Sequence, residues 1–321
     1  MKKAQGAQFN WIFVIVAGAI ILGFFVTFTV KFIDIQQKKA DFTVAKNIET
    51  NIQTLKTSST DLYCDTSASP SCLSMGEKTY IEFYFQDGAN KIIINKNVDH
   101  ELNGETVYAP NLVFSKNLDF WVKPWSFPFH LSNFVFVSDP EKKFYLVFDQ
   151  TTEDFVNLLD IPVIFSLQKI PVSQLSSIVP KSRVVFIISS EPPSNVISSL
   201  KSKKVILSYV NINTHKIKYY DNDEKDLDYL GDSQLLASIF SESTSNYVCN
   251  FDLNKKELNQ VAKIYQQKSK LLSQFSQSQS CFYPQIHNTL KEFSENPTYE
   301  LSEQLTKQNE DLISSGCKEI F

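Results

Sequence analysis

The stretch Phe9–Phe32 reads FNWIFVIVAGAIILGFFVTFTVKF and decides the architecture of the chain. No charged residue lies between Lys3 and Lys31, and a helix needs about 20 apolar residues to cross the hydrocarbon core of a bilayer. A secretory signal peptide has an apolar run of only about 7–15 residues, followed by a cleavage site of small residues. We therefore predict a transmembrane helix over residues 9–32, in contact with the lipid bilayer, after a short cytoplasmic tail of residues 1–8.

The helical pattern continues beyond this span. Apolar residues recur at helical spacing at Val44, Ile48, Ile52 and Leu55, with polar residues between them. No Pro occurs in residues 9–56, and the Gly residues of this range lie inside the span. We expect one long helix whose second part, residues 33–57, forms a stalk.

The rest of the chain predicts an α+β fold, with residues 58–321 as one compact ectodomain. Residues 58–150 read as a mainly antiparallel β-sheet. Residues 151–230 read as a small β-α-β-α-β segment with a parallel sheet. Residues 231–321 read as C-terminal helical hairpins.

Turn residues and apolar runs support these segments. Gln86-Asp87-Gly88-Ala89 predicts one hairpin and Asp139-Pro140-Glu141-Lys142 a second, because Gly tolerates positive φ and Pro pre-sets a type I turn. Three continuous apolar runs are typical of strands buried on both faces: PVIFSLQ (162–168), RVVFIIS (183–189) and KKVILSYV (203–210).

Helix signals punctuate the C-terminal segment. Asp232 can cap a first helix running to about Val248, and Asn254 with Glu257 predicts a capping box that begins a second. Asn296-Pro297 predicts the start of a final helix, which Gly316 ends.

The cysteines bear on the compartment. Cys64 and Cys72 bracket a short loop, CDTSASPSC, that is typical of a disulfide-closed turn, although two free thiols are the alternative. Two returning helices would bring Cys317 beside Cys281, which predicts a second disulfide and leaves Cys249 unpaired. Disulfides persist in oxidising compartments. Lysines flank both ends of the span almost equally, so the cysteines favour an N-terminus in the cytoplasm and a large domain outside it.

Composition and motifs argue against several function classes. A net charge of -4 and a pI near 5.7 argue against a nucleic-acid partner. No Gly occurs between Gly104 and Gly231, so the α/β segment lacks a phosphate-binding loop and a nucleophile elbow. No His lies near another His or a Cys. We predict no catalytic, metal-binding or cofactor-binding residues, with an extracytoplasmic enzyme or ligand-binding domain as an alternative. Calcium binding by the acids of residues 221–228 would lack the Gly and Glu of an EF-type loop.

An aromatic stretch is the most unusual local feature. Trp121, Trp125 and Phe127 lie near two prolines. They suit an exposed interaction loop for a sugar or a protein partner, or a loop that caps the core.

The N-terminus resembles that of type IV prepilins. Residues 1–9, MKKAQGAQF, give a short basic leader with small residues at Ala4 and Gly6, followed by a long apolar helix. The resemblance implies cleavage after Ala4 or after Gly6, and a homo-oligomer packed through the N-terminal helix. The acidic residue that the family carries early in the apolar segment is absent here, where Asn10 and Trp11 stand.

Three hypotheses follow. The first is a prokaryotic single-pass membrane protein, non-catalytic, whose ectodomain binds another protein or an envelope component. The second is a pilin-like filament or assembly subunit. The third is an extracytoplasmic enzyme or ligand-binding domain that uses the α/β segment.

Overall fold

The computed structural model describes residues 2–57, 62–63, 71–221, 223–275 and 281–321, and these residues form a mixed α+β fold. The helices are α1 (Lys2–Lys56), α2 (Glu153–Leu158), α3 (Ser194–Ser202), α4 (Gly231–Phe240), α5 (Thr244–Phe275), α6 (Tyr283–Glu295) and α7 (Tyr299–Ser314). The strands are β1 (Leu62–Tyr63), β2 (Cys72–Gln86), β3 (Ala89–Ile94), β4 (Val98–Glu101), β5 (Val107–Tyr108), β6 (Leu112–Ser126), β7 (His130–Ser138), β8 (Phe144–Phe148), β9 (Leu167–Pro171), β10 (Arg183–Ile187), β11 (Ile206–Asn211), β12 (Lys216–Tyr219) and β13 (Asp226–Asp228).

Helix α1 is one continuous helix, as the sequence predicts. Its C-terminal part lies on a face of the first sheet and buries Ala45, Ile48, Ile52 and Leu55. The spacing of these four residues places them on one side of the helix. The stalk pattern therefore marks the part of α1 that belongs to the core of the folded domain.

The first sheet has the strand order β4-β3-β2-β6-β7-β5, and β1 pairs with β6. Neighbouring strands are antiparallel except β5 and β7, which are parallel. The predicted hairpin at Gln86–Ala89 joins β2 to β3, with both Asp87 and Gly88 at positive φ. This conformation suits a tight hairpin turn.

The second predicted hairpin is wrong. The turn at Asp139–Lys142 forms, since the backbone N–H of Lys142 donates to the carbonyl of Asp139 at 3.0 Å. However, β7 belongs to the first sheet and β8 to the second. All five residues of β8 are buried, and the strand pairs in parallel with β9 and β10. A strand covered on both faces suits a parallel sheet better than a hairpin.

The second sheet has the order β13-β12-β11-β10-β8-β9. Strands β9, β8, β10 and β11 are parallel, and β12 and β13 add antiparallel edges. The small parallel sheet was predicted, but its boundaries differ at two places. Val163–Phe165 forms a 3-10 turn, so β9 begins later than the run PVIFSLQ suggests, and β8 joins this sheet from the segment assigned to the first. Pro162 precedes that turn and cannot donate to a strand ladder.

The aromatic stretch lies in the core, and the expectation of an exposed interaction loop is wrong. Trp121, Trp125 and Phe127 are at most 4% exposed. The period-2 alternation of β6 sends Phe120 and Val122 toward α1, while both Trp side chains face the opposite side. That side is covered by the inner face of the second sheet and by the C-terminal helices. Both faces of the strand are therefore apolar. This agrees with the alternative of a core-capping stretch, except that the residues lie within the core.

Helix α5 differs most from the predicted helices. It begins at Thr244, so Asn254 lies inside it and does not begin a helix with Glu257. Asn246, Asn250 and Asn254, spaced four residues apart, are all buried. The amide of Asn250 donates to the carbonyl of Val107 at 3.0 Å, and Asn254 donates to the hydroxyl of Tyr108. These amides bind strand β5 at the end of the first sheet, where another strand would otherwise pair.

The predicted Cys281–Cys317 disulfide is present, with a Cα–Cα distance of 5.8 Å. It ties the start of α6 to the residues after α7, and Cys249 on α5 is free. Cys72 begins β2, while Cys64 lies outside the described residues, so the Cys64–Cys72 pairing stays a prediction.

Candidate functional site

The apolar part of α1 is a first candidate for function. Its most apolar 18-residue window has a mean hydropathy of 2.6, and none of that window is buried. Large apolar side chains are exposed from Trp11 to Ile35. Among the described residues, α1 is the helix that is long and apolar enough to cross a membrane. Ala4 and Gly6 lie in its first turns, and the predicted cleavage there stays a prediction.

Two buried carboxylates fix α1 to the first sheet. Asp41 accepts hydrogen bonds from the side-chain amides of Asn95, at 2.7 Å, and Asn97, at 3.1 Å. The turn that follows β3 is thereby joined to the surface of α1 by polar contacts as well as apolar ones. Asp41 lies nine residues beyond Phe32, which is about 14 Å along a helix.

The second carboxylate, Glu49, is fully buried. It accepts hydrogen bonds from Lys46 at 2.6 Å, from His100 at 2.9 Å and from the amide of Asn103. Burial raises the pKa of the Glu49 carboxyl, but these hydrogen bonds outweigh burial, and the net shift of the pKa is downward. Glu49 is therefore held ionised in the interface between α1 and the sheet.

The second sheet contains a topological switch point. Its parallel strands have the order β9-β8-β10-β11, so the chain crosses over β8 between β9 and β10. In such sheets, ligands bind in the crevice outside the carboxyl ends of the two strands where the order reverses. Here that crevice lies between the residues that follow β8 and β10.

The carboxylate of Asp149 fills this crevice. It accepts hydrogen bonds from the backbone N–H of Ser189 at 2.7 Å, from the Ser189 hydroxyl at 2.6 Å and from the backbone N–H of Thr151 at 3.0 Å. Burial raises the pKa of Asp149, but the hydrogen bonds from Ser189 and Thr151 lower it by more than burial raises it. The net pKa is well below its usual range. The Asp149 carboxylate thus occupies the position in which a ligand phosphate would bind. It accepts from the hydrogen-bond donors that such a phosphate would need.

A polar cavity of about 270 Å³ lies next to this crevice, at the carboxyl ends of β10 and β11. The side chains that line it are mostly charged or polar: Ser189, Ser190, Glu191, Tyr209, Asn211, Thr214, Lys216, Lys218 and Asp226. Lys218 donates to Glu191 at 2.8 Å, and the Tyr220 hydroxyl donates to the same carboxylate oxygen at 3.0 Å. The Lys218 hydrogen bond lowers the pKa of Glu191 and raises that of Lys218, so both groups are held charged.

A second cavity, of about 250 Å³, lies on the other side of the turn between β11 and β12. Its walls are more aromatic, with His215, Tyr229, Phe251 and Tyr299. The rings of His215 and Tyr299 are stacked with centroids 3.6 Å apart, and burial lowers the pKa of His215. A neutral imidazole stacked on a phenol ring serves as part of the wall.

Arg183 is a fully buried cation at the start of β10. One of its terminal nitrogens donates to the Ser208 hydroxyl and to the Ser241 carbonyl, each at 2.8 Å. Its other two nitrogens have no hydrogen-bond partner, and burial lowers the pKa of its guanidinium. The adjoining cavity of about 30 Å³ also contacts Lys142 and Glu242, which form an ion pair. This volume has room for ordered water.

Other polar clusters in the described residues have structural partners. The Ser269 hydroxyl lies 3.3 Å from His287, but Ser269 is fully buried. No carboxylate among the described residues orients this imidazole, as catalytic triads require. Asp221 accepts hydrogen bonds from the backbone and hydroxyl of Thr244 and thereby fixes the start of α5. In the described part of the chain, no group of three or more His, Cys, Asp or Glu side chains could hold a metal ion.

The sequence matches no family model, and neither a curated protein nor a solved structure matches it. The predicted aromatic site lies in the core, as described above. The cavity at the ends of β10 and β11 was not predicted, although polar residues follow two adjacent apolar runs there. Ser189-Ser190-Glu191 come soon after β10, and Asn211 is the last residue of β11, which was the available signal.

Proposed function

We propose that the chain is a single-pass membrane protein whose folded part acts outside the cytoplasm as a non-catalytic component of the cell envelope. Residues 9–32 would cross the bilayer, with residues 1–8 in the cytoplasm. The observation that carries this proposal is the apolar surface of α1, which is exposed on all sides over more than 20 residues. An apolar surface of this extent is unfavourable in water, and lipid covers it at no such cost.

The manner of anchoring supports a structural or interaction role. Neither Gly nor Pro occurs between Gly23 and Lys56, and α1 passes without interruption into the contacts made by Asp41 and Glu49. The folded domain would thus be held close to the bilayer in a fixed orientation, unlike a domain on a flexible linker. Its partner would be another protein or a component of the envelope.

The extracytoplasmic location rests on the disulfide. The Cys281–Cys317 bond fits a folded domain in an oxidising compartment. The lysines on the two sides of the span favour neither orientation strongly, so the disulfide is the better support.

Extraction of membranes at alkaline pH tests the anchor. We expect the wild-type chain to stay in the membrane pellet, and the double variant Ile21→Arg/Leu22→Arg to be released. Each Arg at the centre of a span costs about 2.5–3.5 kcal/mol of insertion free energy. The matched control, Gln36→Arg/Gln37→Arg, adds the same charge beyond the span and should remain in the pellet. Release of the wild-type chain would contradict the proposal.

A pilin-like subunit is the second candidate. The observation that favours it is the division of α1 into an exposed apolar half and a half packed on a largely antiparallel sheet, which is the arrangement that the prepilin resemblance of residues 1–57 implies. In this candidate, the apolar half packs against other copies in a filament.

Intact-mass spectrometry of the chain from its native membrane separates the two candidates. A chain that begins at Gln5 or Ala7 would support the pilin-like subunit, and the variants Ala4→Val and Gly6→Val would identify the cleaved bond. A chain that retains its first residues would support the anchor alone.

A further inference from the structure

The polar cavity at the ends of β10 and β11 has the position of a ligand site. Ligand sites of α/β sheets lie at the carboxyl ends of the strands. Asp149 closes the crevice at the switch point itself, and the open space lies one strand further along, between Glu191, Asn211 and Lys216. Its volume of about 270 Å³ lies just below the usual range of about 300–1,000 Å³ for small-molecule sites. The occupant would therefore be small.

The charges around the cavity argue against an ionic occupant. Lys216 and Lys218 line it together with Glu191 and Asp226, which gives two positive and two negative side chains. The lysines are already paired, Lys218 with Glu191 at 2.8 Å and Lys216 with Asp228 at 2.6 Å. An anion would meet the two carboxylates and a cation the two ammonium groups, so neither gains a net attraction.

The same side chains retain capacity for hydrogen bonds. Lys218 and Tyr220 both bind one oxygen of Glu191 and leave its other oxygen open. The Asp226 carboxylate and the hydroxyls of Ser190 and Thr214 also line the cavity, and all three residues are exposed. The cavity thus presents carboxylate acceptors beside hydroxyl and ammonium donors. A hydroxyl group both donates and accepts, so a ligand with several neighbouring hydroxyls satisfies both kinds of group.

We propose that this cavity binds a neutral, hydroxyl-rich molecule of about the size of one sugar ring, with Glu191 and Asp226 accepting hydrogen bonds from its hydroxyls. Lys218 is positioned by Glu191 and donates to the ligand with its remaining protons. This proposal is independent of the membrane anchor, because the cavity is formed wholly by residues 189–226.

Saturation-transfer NMR on the detergent-solubilised full chain tests the proposal. The probes are glucose, galactose, mannose and N-acetylglucosamine, with glutamate and inorganic phosphate as charged comparators. We expect saturation transfer to at least one neutral sugar and none to the charged probes. In Asp226→Ala, that signal should fall at least fivefold, because the ligand loses an acceptor, while replacement of an exposed side chain leaves the fold intact.

The matched control is Asp311→Ala, which removes an exposed carboxylate from α7, distant from the cavity in the chain. It should bind the sugar as the wild-type chain does. The proposal is overturned by the absence of signal from all four sugars, by binding of glutamate or phosphate in their place, or by an equal sugar signal in Asp226→Ala and the wild-type chain.

Discussion

Glu49 shows how a single residue couples the long helix α1 to the folded domain. It is the acceptor for Lys46, His100 and Asn103, of which His100 lies on β4 and Asn103 in the turn that follows β4. A hydrogen bond to a charged group contributes about 1.5–3 kcal/mol to the free energy of unfolding, and a buried donor left without its acceptor costs about 1–3 kcal/mol. The carboxylate therefore stabilises the joint between α1 and β4.

Replacing Glu49 with Gln should destabilise the folded domain. We expect the free energy of unfolding to fall by about 1–3 kcal/mol near neutral pH, because the Gln amide cannot accept from all three donors. Thermal unfolding followed by the fluorescence of the buried Trp121 and Trp125 measures this change. The control, Glu101→Gln, alters an exposed carboxylate on the same strand as His100 and should change the free energy of unfolding by less than about 0.5 kcal/mol.

The effect of Glu49 should depend on pH. Its pKa in the folded chain is below the reference value of 4.5, so the folded state favours the ionised carboxyl. The stability that Glu49 contributes is fully present above that reference value and is lost as the pH falls through the lower, folded-state pKa. The difference in melting temperature between the wild type and Glu49→Gln should shrink toward acid. A difference that grows on acidification would contradict this assignment.

At the scale of elements, the asparagines of α5 replace a strand at the end of the first sheet. Asn250 donates to the Val107 carbonyl and accepts from the amide of Asn90 at 2.6 Å. Asn250→Leu should lower the free energy of unfolding by at least about 2 kcal/mol, because it leaves both of these buried groups without this partner. Asn259→Ala on the same helix is the control. The side-chain oxygen of Asn259 has no hydrogen-bond partner, so equal losses in the two variants would contradict the role given to Asn250.

The disulfide acts at the same scale, since it joins the beginning of α6 to the end of α7. It closes a loop of 36 residues, for which chain entropy predicts a stabilisation of about 3–4 kcal/mol. Cys317→Ser should therefore lower the melting temperature clearly, while Cys249→Ser, at a half-buried free thiol, should change it little. A melting temperature that Cys317→Ser leaves unchanged would show that the bond does not contribute.

Local signals were sufficient for several elements. The absence of Gly and Pro after the span predicted α1 through Lys56, and Asp87-Gly88 predicted the β2–β3 hairpin. Gly316 follows the end of α7 at positive φ, as predicted, but the cap of α7 is Thr298, which accepts from the backbone of Leu301, and not Asn296. Each of these depends on backbone conformation over a few residues.

The remaining elements depend on contacts distant in sequence. Two apolar strands joined by the turn at Asp139–Lys142 look like a hairpin, and only the strands that pair with β8 from elsewhere in the chain place it in the second sheet. Asn254 looks like a helix cap until Tyr108, 146 residues away, provides its partner. The burial of Trp121 similarly requires helices and strands that the local sequence does not contain. The polar cavity arises where β10 and β11 end side by side and β12 begins, which no single stretch of sequence encodes.

At the scale of the whole molecule, the proposed arrangement is a folded domain held near a bilayer by one continuous helix. The distance from Phe32 to Asp41, about 14 Å along α1, leaves little room between the domain and the lipid surface. Residues of the domain and residues of the N-terminal tail would thus lie on opposite sides of the same membrane.

Labelling of single cysteines in intact cells with a membrane-impermeant maleimide tests this arrangement most directly. In a background in which Cys64, Cys72 and Cys249 are replaced by Ser, Ser176→Cys places a thiol at an exposed turn of the domain, and Gln8→Cys places one in the N-terminal tail. We expect Ser176→Cys to be labelled in intact cells and Gln8→Cys to be labelled only after the membrane is permeabilised. Labelling of Gln8→Cys but not Ser176→Cys in intact cells would contradict the orientation, and release of both proteins into the soluble fraction would contradict the anchor.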